Sequence, residues 1–145
     1  MPTVSDVVRL NERDLVTVPS SATVMEAVQV MNANRIGAVL VMDGHRVAGI
    51  FTERDVLTRI VVPERCPREA HVRDVMTSEV LCCHLLTDLD EVAALMQSQR
   101  IRHLPIVDDD GTPTGMISIG DVNAFNVRDK QATIQNLSDY ICGRG

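Results

Sequence analysis

Apolar residues along this chain change period in an order that occurs twice. Val4, Val7 and Val8 are spaced for one face of a short helix over 4–10. Val16-Thr17-Val18 alternates as a brief strand and stops at Pro19. Ser20 and Ser21 make a turn, and Val24, Ala27, Val28 and Met31 then mark one face of a helix over about 23–34. Residues 38–42 are a continuous aliphatic run, as in a buried parallel strand. Asp43-Gly44 is a hairpin turn signal, and residues 47–51 return as the next strand. Thr52 suits the N-cap of a helix carrying Val56, Leu57 and Ile60. The stretch 63–71, with Pro63, Pro67 and mixed charge, reads as a linker. The order then replays. Val72, Val75 and Met76 match the first helix, and 80–83 match the short strand. Leu89, Val92, Ala93 and Met96 match the amphipathic helix. Residues 104–107 and 116–118 match the two strands around a turn at 108–111, and a last helix starts near Gly120.

The replay is a true internal repeat. Shifted by 65 positions, residues 24–43 lie on 89–108, with Glu26 on Glu91, Met31 on Met96, Arg35-Ile36 on Arg100-Ile101 and Asp43 on Asp108. Within it a seven-residue motif recurs at a shift of 66: Gly49-Ile50-Phe51-Thr52-Glu53-Arg54-Asp55 and Gly115-Met116-Ile117-Ser118-Ile119-Gly120-Asp121. A period this long is one supersecondary unit duplicated rather than a solenoid, and two such units pack about a pseudo-twofold axis. The predicted organisation is a first repeat over 1–62, a linker over 63–71, a second repeat over 72–126 and a helical tail over 127–145. In the tail, Ile134, Leu137, Tyr140 and Ile141 keep helical spacing before Gly143.

The repeated motif carries the candidate chemistry. Its hydroxyl residue caps a helix, and its aspartate sits at N3 beside free backbone N–H groups. A helix start of this kind can hold a phosphate, and the carboxylate can accept two hydrogen bonds from a ribose diol. The same residues would equally make a plain capping box.

Composition narrows the classes. The 145 residues are 45% hydrophobic but only 2% aromatic, so the core is aliphatic. A net charge of −6, from 14 basic and 20 acidic residues, argues against nucleic-acid or membrane partners, which call for a basic face. No leader pattern opens the chain, and the longest apolar run is far too short for a bilayer. Cys66, Cys82, Cys83 and Cys142 have no CxxC spacing, which points to reduced thiols, a cytoplasmic setting and no metal site. His45, His71, His84 and His103 are scattered, without a nucleophile beside them, and neither a Walker loop nor GxGxxG is present, so no catalytic residues and no enzyme activity are expected.

The repeats over about 4–126, with their R-I-x-x-h-h-h-h-D segments at 35–43 and 100–108 and their G-h-h-[ST]-x-x-D motifs, resemble a tandem pair of CBS domains, a Bateman module. With no second domain beside them, they resemble the stand-alone bacterial type. The resemblance implies an α/β (α+β) fold of two βαββα repeats plus a C-terminal helix. It implies two clefts between the repeats that take an adenine nucleotide, AMP, ADP or ATP, with no cofactor required. Carried over by position, one site comprises Ser118 and Asp121, with Met116, Val16, Ile36 and Gly37 around the base and Arg102 and His103 at the phosphate. The other comprises Thr52 and Asp55, with Ile50, Leu81 and Ile101. Gly37 and Ala38 stand there where the first site has Arg102 and His103, so the expected sites are unequal, the Ser118/Asp121 cleft binding phosphate better. The resemblance further implies a homodimer and a regulatory role toward another protein. Two readings compete: an interaction module with vestigial clefts, and a pair that binds S-adenosylmethionine, NAD or a metal ion.

Overall fold

The computed structural model describes residues 1–11 and 13–129. The elements are α1 (Val4–Leu10), β1 (Thr17–Pro19), α2 (Val24–Asn34), β2 (Ala38–Asp43), β3 (Arg46–Thr52), α3 (Glu53–Val56), α4 (Val72–Val75), α5 (Leu89–Gln99), β4 (His103–Val107), β5 (Pro113–Ser118) and α6 (Ile119–Asp129). The tail helix expected beyond residue 129 lies outside the described residues. Among the described residues no helix is long and apolar enough to cross a membrane.

The first sheet has the order β1-β2-β3, with β1 parallel and β3 antiparallel to β2. The aliphatic run explains its centre: Val39, Leu40 and Val41 on β2 are fully buried. The second sheet has two strands, β4 antiparallel to β5. The strand expected over 80–83 does not form, and only Cys83 bridges Ile106. On the N-terminal side of that bridge the cause is one proline. In the first repeat Leu40 N–H donates to the Val16 carbonyl at 3.4 Å. The residue matching Leu40 is Pro105, which has no N–H, so the Leu81 carbonyl has no such donor. Pairing begins only at Cys83, whose N–H reaches the Pro105 carbonyl at 2.9 Å.

A second departure follows α3. Leu57–Val61 makes a π-helical turn, with Val62 N–H donating to the Leu57 carbonyl and Arg65 N–H to the Ile60 carbonyl. Ile60 stays in the core at 3% exposure, but Leu57, expected on the same face, is 60% exposed. The wider π spacing leaves the apolar face to Val56 and Ile60.

The helices that open the two repeats exchange places. Val4 and Val7 of α1 are buried with Leu89, Val92, Leu104, Ile117 and Val122 of the second repeat. Val72 and Val75 of α4 are buried with Val24, Ala27, Val39 and Phe51 of the first. The backbone contacts match pair by pair. Val4 N–H donates to Thr87 and Val72 N–H to Ala22, both at 3.0 Å. Leu89 N–H donates to Pro2 at 3.0 Å and Val24 N–H to Ala70 at 2.9 Å. Equivalent residues thus meet with their roles exchanged, as an internal twofold relation requires.

Candidate functional site between the repeats

Both motifs form reciprocal caps. Thr52 N–H donates to Asp55 Oδ2 at 2.9 Å, and Asp55 N–H returns to Thr52 Oγ1 at 3.3 Å. Ser118 N–H donates to Asp121 Oδ2 at 2.9 Å, and Asp121 N–H returns to Ser118 Oγ at 3.1 Å. Asp55 and Asp121 are the buried charged side chains among the described residues, each 7% exposed. The cap accounts for one carboxylate oxygen of each and leaves Oδ1. In both motifs Oδ1 faces an arginine. Arg13 donates to Asp121 Oδ1. Arg59 Nε lies 3.7 Å from Asp55 Oδ1, while its Nη1 donates to the Val75 and Met76 carbonyls at 2.8 and 2.9 Å.

The residues expected to act together share clefts. Val16, Ile36, Gly37, Met116, Ser118 and Asp121 line one cavity of about 190 Å³, with His103 and Arg13. Ile50, Thr52, Asp55, Leu81 and Ile101 line a second of about 1020 Å³. Leu81, at 43% exposure, forms part of its rim. The sequence expectation gives Arg102 and His103 to the Ser118/Asp121 cleft alone, and here the structure differs. His103 lines both clefts, whereas Arg102 lines the large one and not the small one, and both line a third cavity of about 480 Å³ that includes Ser118 and Gly120. They stand where α5 turns into β4, between the two motifs. The large cleft adds Arg54 and Arg100, so basic groups are at least as plentiful there.

Three cleft residues carry no role in the sequence reading. Arg13 lies in the connection from α1 to β1, and only the fold brings it to Asp121, 108 positions away. Arg35 lines the small cleft. It ends α2 in the left-handed region at φ 53°, as Arg100 ends α5 at φ 54°, and that matched arginine pair was the available signal. Glu53 covers Gly37: a Cβ there would meet its Oε1 at 3.0 Å. Burial pushes the His103 imidazole below its usual range, with Arg102 acting in the same direction and Glu53 and Asp121 opposing. His103 therefore meets the clefts as a neutral ring at pH 7, a donor or an acceptor rather than a fixed charge.

A family model for the CBS domain matches residues 4–62 and again 72–125. The chain belongs to the CBS domain family. Its two repeats are a tandem CBS pair, and among known proteins it is similar to the mitochondrial CBS domain-containing protein CBSX3 of Arabidopsis thaliana. The two are 37% identical over 126 residues, 83% of this chain and 61% of that protein, so this chain spans about three fifths of the relative. Among solved structures, a protein with CBS domains from Burkholderia ambifaria superposes with a TM-score of 0.85 at 37% identity, covering 88% of this chain and 96% of the other. Two more distant CBS proteins share the fold and were solved with ligands. One, from Pyrobaculum aerophilum, is complexed with AMP (TM-score 0.74, 24% identity, 83% of this chain and 89% of that one). The other, the CBS pair of protein MJ0100, is in complex with methylthioadenosine and S-adenosylmethionine (TM-score 0.78, 22% identity, 89% and 98%).

Proposed function

We propose that this CBS pair is a regulatory module that binds an adenine nucleotide (AMP, ADP or ATP) between its repeats, with the Thr52/Asp55 cleft as the principal site. One observation carries the reading. Each hydroxyl–x–x–Asp motif opens on a cleft that residues of both repeats line, and each aspartate keeps an oxygen beyond what its cap uses. Volume favours the Thr52/Asp55 side. Ligand sites typically enclose about 300–1,000 Å³, about the size of the 1020 Å³ cleft, while the 190 Å³ cleft, with Arg13 paired to Asp121 in its lining, is smaller. Arg54, Arg100 and Arg102 along the large cleft suit phosphate oxygens. The methylthioadenosine and S-adenosylmethionine of a distant relative keep other adenosyl ligands as the second reading, and the basic lining favours the phosphorylated ones.

The mechanism is population shift. A ligand gripped by both repeats binds best at one relative orientation and stabilises it by its differential affinity. The exposed Leu57, Val61 and Val62 would give that orientation a readable surface, either to a second copy of the chain or to a regulated partner. The test is a thermal-unfolding screen with AMP, ADP, ATP, NAD and S-adenosylmethionine. A ligand at 100 times its dissociation constant adds about 2.7 kcal/mol, roughly 5–15 °C at this length. The expected outcome is such a shift with an adenine nucleotide. It should weaken in Asp55→Ala by about 1.5–3 kcal/mol of binding, the worth of charged hydrogen bonds. A silent screen would leave the interaction module as the better reading.

A further inference from the structure

We propose that Arg13 sets the ligand specificity of the Ser118/Asp121 cleft, admitting ribonucleosides with an anionic 5′ group and disfavouring uncharged adenosyl compounds. The inference rests on the nucleotide-binding reading above and refines it for the smaller cleft. Arg13 donates to Asp121 Oδ1, the oxygen that the cap leaves for a ribose diol. A nucleoside takes that oxygen only by separating the pair. Asp121 is 7% exposed, so the diol must replace the bonds it loses. The released guanidinium lines the same cavity, beside Ser118 and His103, where a 5′-phosphate can take it up. A ligand with both groups exchanges one ion pair for another. An uncharged nucleoside breaks the pair and returns nothing to Arg13.

Arg13 lies in the connection between the two halves. Residues 11–16 connect α1, packed on the second repeat, to β1 in the first sheet. Among the described residues, Arg13, Asp14 and Leu15 make no backbone hydrogen bond, so between the helix end at Asn11 and the Val16–Leu40 bond it is the Arg13–Asp121 pair that holds this strap to the cleft. On the other side, residues 76–82 carry contacts of their own. Ile50 and Thr77 exchange hydrogen bonds at 2.9 and 3.0 Å, and Arg59 holds the Val75 and Met76 carbonyls. A Cβ at Gly49 would strike Met76 Sδ at 2.5 Å and the Thr77 carbonyl at 2.6 Å, whereas at Gly115 the nearest atom among the described residues is Ile106 Cδ1 at 3.5 Å. In the large cleft the arginine on Asp55 is Arg59, which comes from the helical turn after the motif and also holds the Val75 and Met76 carbonyls, so that arginine does not come from the strap.

The test is calorimetric titration of the full chain with AMP and with adenosine. It uses an Asp55→Asn background, which keeps the Thr52 cap acceptor and weakens the large cleft. AMP should bind at least about tenfold tighter than adenosine, the worth of one charged hydrogen bond. Arg13→Ala, an exposed loop change, should tighten adenosine, weaken AMP and reduce the ratio to less than about threefold. Arg13→Lys should keep most of the preference. An unchanged ratio in Arg13→Ala overturns the proposal. So does AMP binding to the wild type that survives in Asp121→Ala but is absent from the Asp55→Asn protein, although the nucleotide reading would then stand for the large cleft alone. Binding of neither compound to any variant overturns both.

Discussion

The motif glycines are identical in sequence and opposite in consequence. Gly49 lies under Met76 and Thr77, where a methyl group would meet a sulfur and a backbone oxygen well inside van der Waals contact. Gly49→Ala should cost about 1–3 kcal/mol, as overpacking does. Among the described residues Gly115→Ala meets only a methyl at ordinary contact distance, and the stiffer unfolded chain should make it neutral or stabilising by up to about 1 kcal/mol. Denaturant unfolding of the two variants checks both, and equal losses would contradict the difference in their surroundings. His103 makes a pH-dependent contribution. Held below its usual range by burial, it binds a proton less readily in the fold than in the unfolded chain. As pH falls through about 6.5, the unfolded chain protonates first. The stability associated with neutral His103 is therefore complete above that pH and is lost on acidification, until the folded ring protonates too. In His103→Gln the drop in unfolding midpoint between pH 7.5 and 5.5 should be smaller than in the parent, and an equal drop would assign the acid sensitivity elsewhere. The two aspartates were legible in the sequence because spacing alone puts a carboxylate at N3 of a capped helix. Arg13 was not, because a cation in an irregular segment has no periodicity to show where it lands.

At the scale of elements, the second sheet lacks the ladder bonds that flank the Cys83 bridge, and one of them is missing because Pro105 has no N–H to give the Leu81 carbonyl. Residues 79–81 line the large cleft. Pro105→Ala restores the donor. It should lengthen the bridge at Cys83 into a strand, adding about 0.5–1.5 kcal/mol, the net worth of one hydrogen bond. Hydrogen exchange should show protection of the amide introduced at position 105. Because the change draws Leu81 inward, nucleotide affinity at the large cleft should fall while stability rises. If both rise together, the segment is not a wall of the site. Hydropathy predicted a strand over 80–83 because Val80, Leu81 and Cys83 are apolar, and the residue that decides the pairing sits on another strand. The π turn after α3 escaped notice for a related reason. Val56, Leu57 and Ile60 fit an α-helical face, and only the carbonyl partners of Val62 and Arg65 reveal the wider turn.

The exchange of α1 and α4 makes each repeat depend on a helix that precedes the other. Val4 and Val72 are both fully buried, each in the core of the opposite half. Val4→Ala and Val72→Ala should each cost about 2 kcal/mol from lost burial and the cavity left behind. The location of the damage is the sharper prediction. Val4→Ala should loosen hydrogen exchange in α5 more than in α2, and Val72→Ala the reverse. Loosening confined to the mutated repeat would contradict the exchange. The same arrangement lets the clefts report on the whole module, since the 11–16 and 76–82 straps that carry the exchange also border the two sites.

The sequence by itself determined the duplicated unit, the elements of each half apart from one strand, and the paired hydroxyl–aspartate motifs. These depend on periodicity and on bonds between residues three or four apart, which local spacing encodes. Tertiary structure alone decided the rest: which half each leading helix serves, which arginine faces each aspartate, and that His103 borders both clefts while Arg102 borders the large one. Those outcomes depend on contacts as distant as Arg13 and Asp121, and on small differences such as the N–H that Pro105 lacks, which no local pattern records.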